Sequence, residues 1–275
     1  MINYNGELRT VDDFNTVLSN RAFKYGDGLF ETIKAVDGRV IFAEDHYFRL
    51  MASMRMLRMD ISMNFTLEFF EQEILRLIDS LGLTDARIRF SVFRNAGGLY
   101  LPDQNKSSFF IEASKLVVTH KPVYEVDLFK DYYVYSGLLS TLKTNNRVLN
   151  VIASNYAADY DLDNCLLLNE SKHIVETING NIFMIKGNVV RTPALSEGCI
   201  KGIARKKIIE LLKTHADYTI EEGVISPFEL LKADELFMSN SIIGIQSITK
   251  YRKKSYETVK TDAIANAFAA VVEKH

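Results

Sequence analysis

Two successive α/β halves, making an α+β chain, are what the sequence predicts, on three observations. A turn pair, Asp37-Gly38, separates two strand-like runs in FETIKAVDGRVIF and is followed at once by stretches of helical period. A segment with a proline, mixed charges and no period, HKPVYEVD at 120–127, breaks the pattern near the middle. Beyond it short strands and amphipathic helices resume. The 275 residues suffice for two cores. The expected domains are a smaller one over 1–119 and a larger one over 120–275.

In the first half, residues 30–42 form the hairpin. AEDHYFRLMASMRMLRM then turns helical, with Phe48, Met51, Met54 or Arg55, and Met59 expected on one face and the methionines as core filler. TLEFFEQEILRLIDSLG is a second amphipathic helix, stopped by Gly82. ARIRFSVFR and SSFFIEASKLVVT read as strands around the loop NAGGLYLPDQNK, and HKPVYEVD as the linker. In the second half NNRVLNVIASNYAADYD is helical. NCLLLNESKHIVETINGNIFMIKGNVVRTP is a set of short strands turning at Asn169-Glu170, Asn179-Gly180 and Lys186-Gly187. Gly202 opens the helix IARKKIIELLKTH. The runs YTIEEGVI and ELFMSNSIIGIQSI are expected as strands flanking a short helix near SPFELLKA, and TDAIANAFAAVVEKH closes the chain as a helix.

Composition excludes several classes. The formal net charge is −2, from 33 basic and 35 acidic residues, with no basic block or basic-aromatic stripe, so neither nucleic acid nor an anionic membrane is an expected partner. No apolar run approaches the roughly 18 residues a membrane span needs, and MINYNGELRT lacks the pattern of a signal peptide. Cys165 and Cys199 have no ligand spacing, which suits a reducing compartment, and a cytoplasmic protein is expected. The five histidines are scattered without HExxH or a Cys/His cluster, so no metal is expected. There is no GxSxG elbow, no GxxxxGK[ST] loop and no GxGxxG after a strand.

Five features remain as candidate chemistry, each with an ordinary reading beside it. In STLKTNNRVLN, Lys143 has no acidic residue nearby in sequence; it is either a solvated lysine at a helix start or one that reacts. Gly202 precedes a basic helix whose first N–H groups, at Ile203 and Ala204, suit a phosphate, although glycine before a helix is common. Glu176 lies between strand-like runs and by itself reads as a surface carboxylate. The hydroxyls of SNS at 239–241 end a strand, where they also serve to cap a turn. Arg49, inside an apolar helical stretch, calls for an anionic partner. Gly26 and Gly28 in YGDGLFE supply a tight turn rather than a phosphate cradle.

With these segments in order, the chain resembles the class IV aminotransferase family, the fold-type IV enzymes that depend on pyridoxal 5'-phosphate. RAFKYGDGLFETIKAVDGRVIFAEDHYFRL resembles the family's N-terminal block. LKTNNRVLNVIAS, ETINGNIFMIKGNVVRTP, SEGCIKGIARKKIIEL and ADELFMSNSIIGI resemble its later blocks, over most of the chain. The resemblance implies a fold like that of D-amino-acid aminotransferase, two α/β domains with the cofactor between them, and a homodimer acting on a small amino substrate. It implies that Lys143 carries the cofactor and shuttles the substrate proton, and that Glu176 partners the pyridine nitrogen. Arg49, the N–H groups of Ile203 and Ala204, and Ser241 would hold the phosphate, with Asn181 orienting the cofactor loop. Tyr25 and Phe30 would line the substrate side.

Three activities share that family: branched-chain transamination, D-amino-acid transamination, and 4-amino-4-deoxychorismate lysis to pyruvate and 4-aminobenzoate. Branched-chain members carry a tyrosine where this chain has Val148, and a threonine where it has Ala204. Asn146-Arg147 after Leu142-Lys143 is similar to the lyases. The loop after FSVFR lacks the Arg-x-His of the D-specific enzymes. Lyases often place an arginine where Leu99 follows Gly97-Gly98, so Arg94 is the expected cation for the substrate carboxylate. The resemblance thus implies the lyase, with a branched-chain or broad aminotransferase as the alternative. A D-amino-acid aminotransferase or a non-catalytic scaffold follows behind.

Overall fold

A computed structural model describes residues 1–10 and 19–275, and the chain divides into two units. The first comprises Met1–Val117, Lys143–Asn146 and His275; the second comprises Val118–Leu142 and Arg147–Lys274.

The first unit begins with strands β1 (Ile2–Tyr4) and β2 (Glu7–Arg9), then a short helix α1 (Arg21–Tyr25). The predicted hairpin is β3 (Gly28–Val36) and β4 (Arg39–Val40), with Asp37 and Gly38 both left-handed at φ 51° and 70° as a tight two-residue turn requires. Helices α2 (Ala43–Met56) and α3 (Leu67–Ser80) precede strands β5 (Ala86–Arg94) and β6 (Ser107–Lys115). The strands make one sheet in the order β2-β1-β6-β5-β3-β4. On α3, Thr66 accepts a hydrogen bond from Phe69 N at 3.2 Å as the cap, and Phe70, Ile74, Leu77 and Ile78 form one buried face. Phe70, Phe90 and Phe109 stack through that core, with ring centroids 4.8 and 5.1 Å apart.

Helix α2 buries Met51 and Met54 as expected but turns a polar edge inward in place of Phe48. His46, Leu50, Met51, Ser53 and Met54 point inward, while Phe48 is 56% exposed. The cause lies on β3, where Leu29, Glu31, Ile33 and Ala35 alternate onto one buried face. Glu31 on that face binds His46 and Arg49, which rotates the polar edge of α2 inward. Met51, Met54 and Met59 are core residues as expected.

The second unit holds two five-stranded sheets. In chain order its elements are β7 (Glu125–Leu128), α4 (Val148–Asp159), β8 (Asn164–Leu168), β9 (Ile174–Thr177), β10 (Asn181–Lys186), β11 (Val189–Pro193) and α5 (Ile203–Lys213). There follow β12 (Thr219–Gly223), α6 (Pro227–Leu230), β13 (Glu235–Asn240), β14 (Gly244–Ile248), β15 (Lys250–Tyr251), β16 (Lys254–Ser255) and α7 (Val259–Glu273). One sheet runs β12-β11-β10-β13-β14 and the other β16-β15-β7-β8-β9. Val126, Leu166 and Ile174 of one sheet share a core with Ile182, Leu236 and Met238 of the other. Against β8, Ala153 and Ala157 of α4 meet Phe129, Cys165 and Leu167.

Two expectations change here. The supposed linker at 120–127 ends in a strand: β7 pairs in parallel with β8 and β15, an arrangement set by distant segments and marked locally only by Val126 and Leu128. The expected single strand at 235–248 is a hairpin of β13 and β14. It turns because Asn240 Oδ1 accepts from Ile242 N and Ile243 N, so Asn240 and not a serine caps the turn. No helix among the described residues is long and apolar enough to cross a membrane.

Candidate active site

In the first unit the backbone around Lys143 completes a sheet edge. Strand β4 pairs only with the far end of β3, at Ala35 and Val36. Beside the near end of β3, Phe30 N donates to Lys143 O and Asn145 N donates to Gly28 O, each at 2.9 Å. Gly26 caps α1 in the left-handed region at φ 66°, and both it and Gly28 lie close against these residues. A Cβ at Gly26 would lie 2.1 Å from Asn146 Oδ1, and one at Gly28 would lie 2.6 Å from Asn145 Nδ2. The motif YGDG and the motif KTNN are thus two sides of one contact. With its backbone so fixed, Lys143 sets Nζ 4.6 Å from the centroid of the Phe30 ring. The guanidinium of Arg89 lies 3.8 Å from the same ring, and its Nη2 reaches Asn145 Oδ1 at 3.4 Å.

Arg89 is a residue that sequence reasoning passed over. Its signal was the alternation of charged and apolar residues in ARIRFSVFR, which leaves Arg89 half-buried between strand neighbours. Among the described residues no carboxylate lies within ion-pair distance of it, although Glu112 on β6 is near enough to oppose the downward push that burial exerts on its ionisation.

The anionic partner that Arg49 calls for is Glu31. Arg49 Nε donates to Glu31 Oε1 at 2.8 Å and Nη2 donates to Oε2, while His46 Nδ1 lies 2.6 Å from Oε2. Burial alone would raise the Glu31 carboxyl. The Arg49 charge and the hydrogen bonds from His46 and Arg49 outweigh it, and bring the group from 4.5 to about 2. Burial holds His46 below its ordinary value, so it is a neutral imidazole donating from Nδ1, and its buried Nε2 has no partner.

Arg94 is committed elsewhere. Its Nε donates to Asp27 at 2.9 Å, Nη1 to Arg58 O at 3.1 Å and Asn105 Oδ1 at 2.6 Å, and Nη2 to Leu57 O at 2.7 Å. With all three nitrogens engaged in a buried side chain, Arg94 serves the fold of the first unit, which corrects its expected part in binding a substrate carboxylate. Tyr25, the last residue of α1, packs its ring 5.6 Å from that of Tyr100.

In the second unit one backbone residue joins the sequence candidates. The buried Glu176 of β9 accepts from Ile200 N at 2.9 Å through Oε2, and the buried Asn181 of β10 donates to Ile200 O, also at 2.9 Å. A carboxylate and an amide therefore grip the two faces of one residue. Two residues on, Gly202 begins α5 without a side-chain cap, and a Cβ there would lie 2.1 Å from Asn181 Oδ1. The N–H groups of Ile203 and Ala204 have no acceptor among the described residues, so the helix presents unpaired donors and its positive end. Glu176, Asn181, Ile203 and Ala204 are thereby brought together. Ile200 was not legible as a functional residue, because it acts through its backbone alone.

Ser241 lies in the turn after β13, beyond the register pair Asn181 and Ser239. It is Ser239 whose hydroxyl is fully buried without a partner. Each unit thus carries its own chemistry: a lysine beside an aromatic ring and a guanidinium in the first, and a carboxylate beside an anion-binding helix end in the second. No group of three or more His, Cys, Asp or Glu able to hold a metal occurs among the described residues.

The family model described as Amino-transferase class IV matches residues 28–251. A protein of Methanocaldococcus jannaschii, provisionally named a branched-chain-amino-acid aminotransferase, is 30% identical over 88% of this chain and 84% of its own. An aminodeoxychorismate lyase of Vibrio harveyi is 28% identical over 84% of this chain and 86% of its own. The crystal structure of the branched-chain aminotransferase of Thermoproteus uzoniensis superposes with a TM-score of 0.90 at 22% identity, covering 98% of this chain and 94% of that one.

Proposed function

The chain belongs to the class IV amino-transferase family, whose members depend on pyridoxal phosphate and whose fold it shares, and from that premise we propose a lyase. The reaction is the elimination of pyruvate from 4-amino-4-deoxychorismate, leaving 4-aminobenzoate for folate synthesis. The observation that carries an enzymatic reading is Lys143, held by its backbone against β3 with Nζ over Phe30 and a guanidinium on the same ring. A solvated lysine needs none of that.

The residues present fit the cofactor. The uncapped start of α5, with Gly202 pressed on Asn181, is a cradle for its phosphate through Ile203 N and Ala204 N. Ser241 and Arg49 are the further phosphate groups, and Glu31 sets the orientation of the Arg49 guanidinium. Glu176, already fixed by Ile200 N, keeps a proton on the pyridine nitrogen. When bound, the cofactor draws off the negative charge that develops on the substrate carbon. Lys143 Nζ anchors the cofactor and takes the proton from the carbon bearing the amino group. The neighbouring C–O bond then breaks and enolpyruvate departs, and the proton returned to it yields pyruvate. Tyr25 and Phe30 line the substrate. Arg89, in place of Arg94, is the cation for the carboxylate.

Two substitutions favour elimination over transamination. Val148, 71% exposed at the start of α4, and the buried Ala204 lack the hydroxyls of branched-chain members. The second reading, a branched-chain aminotransferase, is favoured by the 30% identity to the Methanocaldococcus jannaschii protein. We read the protein as a cytoplasmic homodimer. The exposed apolar side chains Leu138, Leu139, Val148 and Val151 support an assembly, and the two free, buried cysteines, their thiols pushed to about 12 by burial, suit a reducing compartment. Pure protein loaded with pyridoxal phosphate is to be incubated with aminodeoxychorismate alone, and separately with leucine plus 2-oxoglutarate. Repeated release of 4-aminobenzoate in the first tube supports the lyase, and glutamate formation in the second without release in the first supports the aminotransferase.

A further inference from the structure

Arg21, on α1 of the first unit, opens the N-terminal block and is a buried arginine to which the reaction above gives no part. Its Nε donates to Asp27 Oδ2 at 2.9 Å, the same oxygen that Arg94 Nε binds. Its Nη1 donates to Gly97 O at 2.9 Å and Leu99 O at 2.6 Å, and Nη2 reaches Tyr100 O at 3.4 Å. One side chain therefore meets three carbonyls of a five-residue loop. That loop is folded tightly on itself: Gly98 is left-handed at φ 68°, and a Cβ there would lie 2.1 Å from Leu101 O.

The outer side of the loop is the reverse of its root. Leu99, Tyr100 and Leu101 are 77%, 89% and 84% exposed. Side chains that bury so little supply almost no ordering energy, so the conformation of this tip depends on the carbonyl bonds beneath it. The same guanidinium lies 4.9 Å from the centroid of the Tyr25 ring, which in turn packs on Tyr100. Helix end and loop tip are thus tied to one planar group whose donors are fixed in a fork.

We propose that Arg21 is a positioning residue that clamps the 97–101 loop and so holds Tyr25 and Tyr100 as a single wall on the substrate side, without touching the substrate. The inference rests on the proposed function insofar as Tyr25 faces the amino substrate. A lysine at 21 keeps the charge beside Asp27 but has no fork with which to span the loop carbonyls.

The test uses the full chain loaded with pyridoxal phosphate, as wild type, Arg21→Lys, Arg21→Gln and Tyr100→Ala. Limited chymotrypsin digestion, with the cut mapped by mass, is expected to cleave after Tyr100 at least about tenfold faster in both Arg21 variants than in wild type, with unchanged circular dichroism. The KM of the amino substrate is expected to rise about tenfold in Arg21→Lys with kcat within about twofold. Tyr100→Ala keeps every bond of the clamp and lies on the exposed tip, so it folds normally. It should raise KM by a similar factor, and combining it with Arg21→Lys should add little. Equal cleavage rates in wild type and the Arg21 variants overturn the proposal. So does an unchanged KM in Tyr100→Ala, or a fall in kcat at constant KM in Arg21→Lys, which would put Arg21 in the chemistry. Should the wild type turn over no amino substrate, it is the proposed function that fails, and the cleavage rates still decide whether the clamp exists.

Discussion

Lys143 and Glu31 show how differently two charged residues act within one unit. Lys143 is fixed by its own backbone against β3, so its place in the fold does not depend on its side chain alone. Reductive trapping with borohydride followed by peptide mapping should leave the cofactor mass on the peptide containing Lys143. Lys143→Ala should abolish turnover with a melting temperature within a few degrees of wild type; a label on another lysine removes the assignment. Glu31 is the opposite case, a buried carboxylate whose partners Arg49 and His46 hold it at about 2, below the ordinary 4.5. Because its folded value is the lower one, its stabilising effect is complete above about 4.5 and is lost as pH falls toward 2. Glu31→Gln should cost about 3 kcal/mol at pH 7 by leaving Arg49 buried without its counter-ion. In urea titrations the gap between variant and wild type should narrow steadily from pH 5 to pH 2. A gap that does not change with pH would mean that the pair does not stabilise through charge.

At the scale of elements, the start of α5 shows what a helix end contributes when the chain leaves it uncapped. Gly202 is extended at φ −66°, a conformation open to any residue, so its need for glycine is one of space and not of backbone freedom. A methyl group there would sit 2.1 Å from Asn181 Oδ1 and force that side chain off Ile200. Gly202→Ala is therefore expected to weaken pyridoxal-phosphate affinity by about tenfold or more, the loss of one or two charge-assisted bonds to the phosphate. Its circular dichroism should stay that of the wild type, and titration of the visible cofactor absorbance measures the effect. Unchanged affinity would separate the helix end from the phosphate. The α2 face carries a related lesson: a purely apolar count chose Phe48, while one buried glutamate across the interface turned the helix to bring His46 inside.

For the whole molecule the question is how the catalytic cycle ends. An aminotransferase must leave its cofactor aminated before a second substrate restores it, whereas a lyase returns directly to the aldehyde form. With Val148 and Ala204 where branched-chain members have hydroxyls, leucine, glutamate or D-alanine alone should bleach the visible absorbance of the holoenzyme only slowly. Aminodeoxychorismate should leave that absorbance in place through many turnovers. Stoichiometric bleaching by leucine within the mixing time would assign the protein to transamination.

Local order was legible in the sequence because it is written within a few residues. The Asp37-Gly38 hairpin and the Gly82 stop of α3 each depend on backbone angles and side-chain period that neighbouring residues impose, whereas the glycine that opens α5 answers to Asn181, which is distant in sequence. Lys143, Glu176 and Arg49 stood out only through the resemblance of the blocks around them to the family, because each by itself has an ordinary reading, and their roles belong to the proposal. Partnership was not legible. That Glu31 satisfies Arg49, that Asp27 and the loop carbonyls occupy Arg94, and that Ile200 offers its N–H to Glu176 and its C=O to Asn181 are facts about groups up to dozens of residues apart. Strand β7 was hidden in a presumed linker for the same reason, because its hydrogen bonds run to β8 and β15. A residue's type and neighbours along the chain determine which bonds it is able to make, and only the packing of sheets and helices determines which of them it makes, because a buried donor or acceptor takes whatever partner folding brings within about 3 Å.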